Sequence, residues 1–440
     1  MRSSKSSRRQ FLKRSAAAAT AAMVPYHWSS RYAKAQSAND RPNVAAIGTS
    51  IYTDRYTGAG EHDGQGSRIG HEAGKFGNML AVADVNLRHA RRFADRYDGK
   101  CQVYQDYRKL LERSDVEAVT VGTPDHWHVK IAIDAMRSGK DVYCEKPLTL
   151  TIDEGKKICR VVRETGRVLQ VGTQQRSEYN NMFLKAVVLA RSGRLGGNLK
   201  ALSSVGEGER GGPFENTDPP KELDWDFWLG QAPKVPYCPQ RCNFDFRWWL
   251  EYSGGQITDW GVHHTDIAVW ALGLDDTGPV EIAGSGDFPR VENGFNTAVT
   301  FDCTMRFPAG QQIRLYSGTN ELILSGDQGR IRVNRGGLTG KPVEELTPAD
   351  DAWIREGILK LCHGKEPGSH MRNFFECIKD RGTPISDVFS HHRSASACHL
   401  ANIAMRLGRK VQWDPVKEDF VGDEEAAALL RRPQRKQYAF

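Results

Sequence analysis

Tyr143-Cys144-Glu145-Lys146-Pro147 closes an apolar turn of strand, Asp141-Val142-Tyr143, and opens through Leu148-Thr149 into a helical pattern. A lysine just before a proline, at the carboxyl end of a parallel strand, stands where open α/β sheets hold their ligands. The proline fixes its own φ and biases Lys146 away from helix, so the ammonium is held at a set angle over a bound cofactor. The plainer reading is a surface lysine in a strand-to-helix turn. The chain on either side has to decide between the two.

Upstream, strands at residues 43–48, 79–84, 118–122 and 140–143 alternate with helical patterns at 86–97, 107–114 and 129–138. Downstream, a helix at 152–165 and a strand at 168–172 extend the series. Such alternation predicts a doubly wound parallel sheet of the dinucleotide-binding kind. Its first strand ends in Gly48-Thr49, but no regular glycine fingerprint follows. A polar, glycine-rich stretch intervenes, and a helix starts only at Gly66-Ser67-Arg68-Ile69-Gly70-His71. Residues 51–65 therefore read as an insertion in the phosphate loop. With it set aside, Gly48, Thr49, Gly66 and Gly70 supply the tight turn and close backbone approach, and the helix amino end faces a pyrophosphate.

Asp84 ends the next strand, about 20 residues beyond the glycines once the insertion is discounted, where a carboxylate accepts ribose hydroxyls and repels a 2′-phosphate. This favours NAD over NADP; capping the helix at 86–97 is the competing role. Thr123-Pro124-Asp125-His126-Trp127-His128 follows another strand end. Thr123, Pro124 and His128 are placed to line the cofactor groove with Glu145 and Lys146, while His126 and His128 have capping or packing as alternatives.

From Thr173 the character changes. Gln174, Gln175 and Arg176 follow a strand end, a helix at 182–192 leads away, and residues 200–205 open a strand-rich region. Strands at 297–307 and 312–317 alternate as in a sheet with one covered face. Aromatics gather at 224–228 and 247–249; most suit a core, and Trp248 or Trp249 is a candidate to stack on a sugar ring. A second chemical centre is Gly254-Gly255-Gln256-Ile257-Thr258-Asp259-Trp260-Gly261-Val262-His263-His264-Thr265-Asp266. Asp259 and His263 lie four apart, on one face if helical. A carboxylate beside an imidazole orients it and raises its basicity, making His263 a candidate general base. A helix-capping histidine is one alternative and a metal site with His264 another. Zinc wants three or four converging ligands, the remaining set is not evident, and no metal is assigned. His391 and His392 receive no role, and the polar tail from Trp413 reads as an arm along the surface or a partner subunit.

At 440 residues the chain suits two domains. The formal charge of +7 includes a basic leader and a basic tail, so it gives no reason to expect nucleic-acid binding. No apolar run reaches the length of a membrane-spanning helix. Ser7-Arg8-Arg9-Gln10-Phe11-Leu12-Lys13, an apolar stretch at 16–24 and Ala33-Lys34-Ala35 read as a twin-arginine export signal with its cleavage site, the alternative being a retained basic amphipathic helix. Export by that route carries a folded protein with its cofactor, so a nicotinamide would stay tightly bound and be regenerated in place. The nine cysteines are an odd number without a CxxC pair, and Cys238 and Cys242 are expected to stay thiols.

Together the Glu145-Lys146-Pro147 and Asp259-Trp260-Gly261-Val262-His263 motifs resemble those of the glucose–fructose oxidoreductase, inositol dehydrogenase and MocA family, and the likeness runs from Asn43 to about Trp413. Beyond the signal at 1–35 read from the twin-arginine stretch, the resemblance implies a Rossmann domain at 41–173 and an α+β domain at 174–413 with an open-faced mixed or antiparallel sheet. That sheet commonly forms oligomer contacts, and an arm follows at 414–440. It also implies that Lys146 orients a sugar beside the nicotinamide, that Asp259 holds substrate or base, and that His263 exchanges the hydroxyl proton. Gln175 and Arg176 fall in the substrate-side loop, with Trp248 and His264 as further candidates on the substrate side.

The broken glycine pattern departs from the family, and the insertion would suit a lid that retains cofactor. The expected function is an exported oxidoreductase moving hydride between bound NAD(H) and a carbohydrate or polyol. A redox-neutral glycoside hydrolase or lyase working through a keto sugar is the alternative, and a sugar-binding protein without turnover a third.

Overall fold

Val44, Ala45, Ala46 and Ile47 form an apolar run too short for a helix and buried on both faces, which is how a central parallel strand reads. The structure, a computed structural model, describes residues 41–53 and 60–440. The twin-arginine stretch around Arg8 and Arg9 and its cleavage candidate lie outside the described residues.

Strand β1 (Asn43–Ile47) is followed by a small antiparallel pair, β2 (Ile51–Thr53) and β3 (Glu61–Asp63). The phosphate-loop insertion thus carries a hairpin. Its second strand is held against the neighbouring helix, because Glu61 takes Arg88 and Arg92 and Asp63 takes Arg96. Helix α1 (Gln65–Phe76), β4 (Asn78–Ala83), α2 (Leu87–Ala94), β5 (Gln102–Tyr104), α3 (Tyr107–Leu111), β6 (Ala118–Val121), α4 (Asp125–Arg137), β7 (Asp141–Cys144), α5 (Ile152–Thr165) and β8 (Leu169–Val171) complete the first half.

Their strand order is β5-β4-β1-β6-β7-β8, every pairing parallel. The order reverses between β1 and β6, so the crevice for a ligand opens beyond Ile47 and Val121. Helix α5 keeps its expected bounds because both ends are marked. Thr151 and Glu154 make a capping box, and Gly166 takes the left-handed conformation that ends the last turn. Helix α4 starts earlier than its periodicity predicts, with Pro124 at the N-cap. His126 and His128 therefore lie in a helical first turn rather than a loop.

The second half comprises α6 (Met182–Arg191), β9 (Lys200–Val205), α7 (Trp225–Leu229), α8 (Gln256–Asp259), α9 (Gly261–Ala271), β10 (Glu281–Gly286), β11 (Phe301–Arg306), β12 (Gln312–Ser317), β13 (Glu321–Ser325), β14 (Arg330–Asn334) and β15 (Gly337–Thr339). Then come α10 (Lys341–Glu344), α11 (Asp351–Leu361), α12 (His370–Asp380), α13 (Val388–Leu407), β16 (Val411–Asp414), β17 (Asp419–Phe420) and α14 (Glu424–Ala428). The nine strands from β9 onward form one mixed sheet, in which β9 and β12 pair in parallel. On its covered face Cys303, Met305, Ile313, Leu315, Leu322, Leu324, Ile331 and Val333 pack under α6, α9 and α13, and each buried aliphatic side chain contributes roughly 1.5–3 kcal/mol. The other face carries exposed pairs such as Asp302 with Arg314.

Two features differ from expectation. The sheet runs on to Phe420, so the tail begins as its edge. The last turns then return to the first half, where Tyr438 sits edge-on to Trp127 at 5.9 Å, while Tyr438 also stacks on Phe227 of α7 at 5.7 Å and Arg435 pairs with Asp226 at 2.7 Å. Helix α12 also belongs to the core of the first half, with Phe374 set edge-on to Tyr143 at 5.8 Å. All nine cysteines are buried, free thiols, and no described helix is long and apolar enough to cross a membrane.

Candidate active site

The crevice at the strand reversal opens into a cleft of about 860 Å³ bounded by both halves. Gly48 leaves β1 at φ 77°, a conformation that favours glycine. A Cβ on Gly66 would lie 2.0 Å from the Gly48 carbonyl and 2.8 Å from that of Gly122, so α1 can enter between β1 and β6 only with glycine there. Gly70 meets Phe93 and Ala46 in the same way, one turn further on. The amino end of α1 has no side-chain cap and no acid in its first turn. Its free N–H groups and positive dipole end suit a diphosphate.

Asp84 lies at the rim of the same cleft. Its carboxylate accepts from the backbone N–H of Thr49 at 2.7 Å and of Asn86 at 2.8 Å, and Asn86, not Asp84, caps α2. Thr123 and Pro124 line the cleft, and the Thr123 hydroxyl is buried with no hydrogen-bond partner among the described residues. His128 places its two ring nitrogens 2.7 Å from the Pro147 carbonyl and 2.8 Å from the Thr123 carbonyl, stapling the two strand-end turns together.

The Lys146–Pro147 peptide is cis. Glu145 is buried and accepts from Gln65 at 3.0 Å and Gln174 at 2.9 Å; burial pushes its carboxyl up, against those bonds and the Lys146 charge. Lys146 Nζ donates to Oδ1 of Asp259 at 2.6 Å and to its carbonyl at 2.9 Å. Arg247 stands 3.3 Å from the same Oδ1. Burial alone would raise the Asp259 carboxyl, but these two cations overcome it and hold it at about 2.

His263 lines the cleft, and burial, then the Lys146 and Arg335 charges, keep its imidazole well below the ordinary value. It is neutral. Arg335 Nη2 lies 3.3 Å from His263 Nε2; a guanidinium only donates, so Nε2 carries the lone pair and Nδ1 the proton.

Several sequence expectations need correction. Asp259 gives its carboxylate to Lys146 and Arg247, not to His263, because the helix breaks between them. His263 N bonds the Trp260 carbonyl three residues back, which tightens the turn and takes His263 off the face of Asp259. Arg176 is not at the cleft: fully buried, it makes a two-pronged pair with Asp266, at 2.7 Å on each prong, and donates to the Ile385 carbonyl and Ser390. Gln175 is buried beside it. Trp248 packs in the aromatic cluster with Trp228, Trp249 and Phe295. His264 turns to Asn320 at 2.6 Å. None of these four lines the cleft.

The sequence reading missed Arg247, Arg335 and Tyr179, which do line it. Tyr179 adjoins the quoted Gln174 to Arg176 segment, whereas Arg335 sits on a hairpin turn whose sequence gives no signal. Among the described residues, no group of three or more His, Cys, Asp and Glu side chains converges as metal ligands.

Two family descriptions match the chain: "Oxidoreductase family, NAD-binding Rossmann fold" over residues 42–173 and "Oxidoreductase family, C-terminal alpha/beta domain" over residues 208–440. An uncharacterized oxidoreductase, YrbE, of Bacillus subtilis is 25% identical over 212 residues, which span 48% of this chain and 50% of that one. The chain thus matches only about half the length of that relative. The scyllo-inositol 2-dehydrogenase (NAD(+)) of Bacillus subtilis is 24% identical over 335 residues, 72% of this chain and 83% of that one. Among solved structures, the WlbA dehydrogenase of Bordetella pertussis, in complex with NADH and UDP-GlcNAcA, superposes with a TM-score of 0.61 at 17% identity over 86% of this chain and 99% of that one. At that identity the likeness shows the fold.

Proposed function

The chain belongs to the glucose–fructose oxidoreductase, inositol dehydrogenase and MocA family and is an NAD-binding oxidoreductase, and on that premise we propose that it moves hydride between a tightly bound NAD(H) and a hydroxyl or ketone of a carbohydrate or polyol. One observation carries this reading: Lys146, paired with Asp259, shares with a neutral His263 a cleft at the reversal of the parallel sheet. The uncapped amino end of α1, with Gly48, Gly66 and Gly122 around it, would hold the cofactor diphosphate, and Asp84 and Thr123 its adjoining groups.

Bound NAD supplies the hydride acceptor. Of the three donors on Lys146, two are engaged by Asp259, which leaves one for the oxygen of a bound sugar as it gains negative charge. His263 Nε2, its lone pair released from Arg335 to the substrate, takes the hydroxyl proton as the C–O bond becomes a carbonyl, and returns it in the reverse direction. Asp259 fixes the ammonium without competing for the proton, since it stays ionised.

The twin-arginine stretch at Arg8 and Arg9 supports export with cofactor already bound, and the open face of the nine-stranded sheet supports a homo-oligomer. A redox-neutral glycoside cleavage is the second reading, favoured by Tyr179, which lines the cleft as the additional acid or base such a cycle needs.

Absorbance near 340 nm of protein purified without added nucleotide tests both. Lasting reduction by a sugar or polyol, reversed by a ketone, is the expected result. Cleavage of a glycoside with the cofactor returned to its starting state would replace the first reading with the second. Loss of export on converting Arg8 and Arg9 to lysine checks the signal, and bound NAD surviving gel filtration checks retention.

A further inference from the structure

Arg335 is an arginine whose surroundings are built and whose charge is unanswered. Its guanidinium lies over the Trp260 ring at 4.4 Å and the Tyr179 ring at 4.8 Å, so two aromatic faces grip it. Tyr179, Asn180 and Asn181 are three consecutive non-glycine residues in the left-handed region, at φ 59°, 53° and 59°. Backbone of this kind persists only where its surroundings impose it, and here it brings the Tyr179 ring to Arg335.

Elsewhere in the fold arginines with shielded guanidinium groups lean on carboxylates: Arg176 on Asp266, Arg432 on Glu154, Arg435 on Asp226. Among the described residues no carboxylate pairs with Arg335, and its buried Nε has no hydrogen-bond partner. Among the described residues its one hydrogen-bond contact is with the neutral His263.

The charge around it points the same way. Lys146 and Arg247 converge on Asp259, and Arg335 adds a third cation across the Trp260 ring. Glu145 and Glu178 also line the cleft, and burial pushes both carboxyls up, but neither makes an ion pair with Arg335. The guanidinium of Arg335 thus faces the cleft with no carboxylate of the described residues paired to it. The guanidinium of Arg335 carries the planar set of donors that matches a carboxylate.

We propose that Arg335 binds a carboxylate carried by the substrate, so that the carbohydrates taken by this site are sugar acids rather than neutral sugars. This deepens the oxidoreductase reading above and rests on it for the identity of the cleft. A bound carboxylate would also cancel one of the two cations that oppose protonation of His263, coupling recognition of the acid to proton transfer.

The test is calorimetric titration of the full chain, saturated with NAD, with D-glucuronate, D-galacturonate and D-gluconate against D-glucose, myo-inositol and glucose 6-phosphate, followed in parallel at 340 nm. At least one sugar acid should bind about 10- to 100-fold more tightly than its neutral counterpart, the range expected of a charge-assisted contact. In Arg335→Gln that ratio should fall to about one, and in Arg335→Lys it should fall partway, because a point charge keeps attraction without the fork. Equal affinity of wild-type protein for acids and neutral sugars overturns the proposal, with no need of a variant. So does a preference that survives Arg335→Gln, or binding of glucose 6-phosphate alone. Binding of the acids without change at 340 nm upholds the carboxylate site and removes hydride transfer, so the two readings fail separately.

Discussion

Nζ of Lys146 and Oδ1 of Asp259 lie 2.6 Å apart, and this one contact joins the strand-end turn of the nucleotide half to the short helix that opens the catalytic half. Both side chains are largely shielded, at 13% and 9% exposure, so removing Asp259 strands the ammonium, while removing Lys146 leaves Asp259 with Arg247 alone. Lys146→Gln should lower kcat by about 10²–10³-fold, the usual cost of losing one donor to a developing oxyanion. It should also release the Asp259 carboxyl upward from about 2, towards the ordinary range. Turnover at saturating substrate and the acid limb of thermal stability check the two effects. In wild-type protein the depressed carboxyl adds stability above the ordinary aspartate range, and that stability is lost as pH falls from about 4 towards about 2.

His263→Asn should leave NAD binding in place and lower kcat by about 10²–10⁴-fold, the range of a positioned general base. The wild-type pH profile should show no loss of base near pH 6.5, because burial and the neighbouring cations keep the free imidazole neutral to lower pH. A profile that falls with an apparent pKa of about 6.5 would place the base elsewhere.

Asp125 opens α4 and accepts from Ser253 Oγ at 2.6 Å; burial lifts its carboxyl to about 7, against the pull of Ser253 and Arg247. The native state therefore holds a proton that the unfolded chain has released between about pH 4 and pH 7. Stability should fall across that window as pH rises and level off above it. Asp125→Asn should flatten the slope, by an amount on the order of a few kcal/mol at neutral pH. Denaturant midpoints at pH 5 and pH 8 for both proteins measure it.

Arg176→Met should destabilise the fold by about 3–5 kcal/mol, since it strands Asp266 as a buried, unpaired carboxylate. Folded Arg176→Met should keep the wild-type KM. A raised KM without loss of stability would return Arg176 to the substrate. Arg176→Met combined with Asp266→Leu should recover much of the loss, because apolar replacement of a whole buried pair is often tolerated.

Sequence reading worked where local chemistry and final position coincide. The lysine before Pro147 had to end a strand, and the strand had to be parallel because helices separate it from its neighbours. The capping box at Thr151 and the left-handed Gly166 marked α5 at both ends.

It failed where meaning comes from burial. Arg176 and Asp266 look like chemistry in a sequence, and only the packing of the turn at residues 174–176 against α9 shows them answering each other. Asp259 and His263 have helical spacing, yet a single tightened turn separates them. Arg335 lies 72 residues beyond the histidine it approaches, on a turn between two sheet strands. Nothing in Asn334-Arg335-Gly336 hints at Trp260.

The return of α12 and the final turns to the first half bears on how this protein is made. A ribosome finishes residue 173 long before residue 370, and at ordinary elongation rates the gap is on the order of tens of seconds. Through that interval the nascent nucleotide-binding sheet lacks Met371, Phe374 and Cys377, which share its core, and Tyr438, which stacks on Phe227 beside Trp127. The half synthesised first is thus the half completed last. The cofactor-binding core closes only after residues far downstream of it are made, and a chaperone waiting on the growing chain would meet its exposed apolar surface around Val44, Tyr143 and Val168.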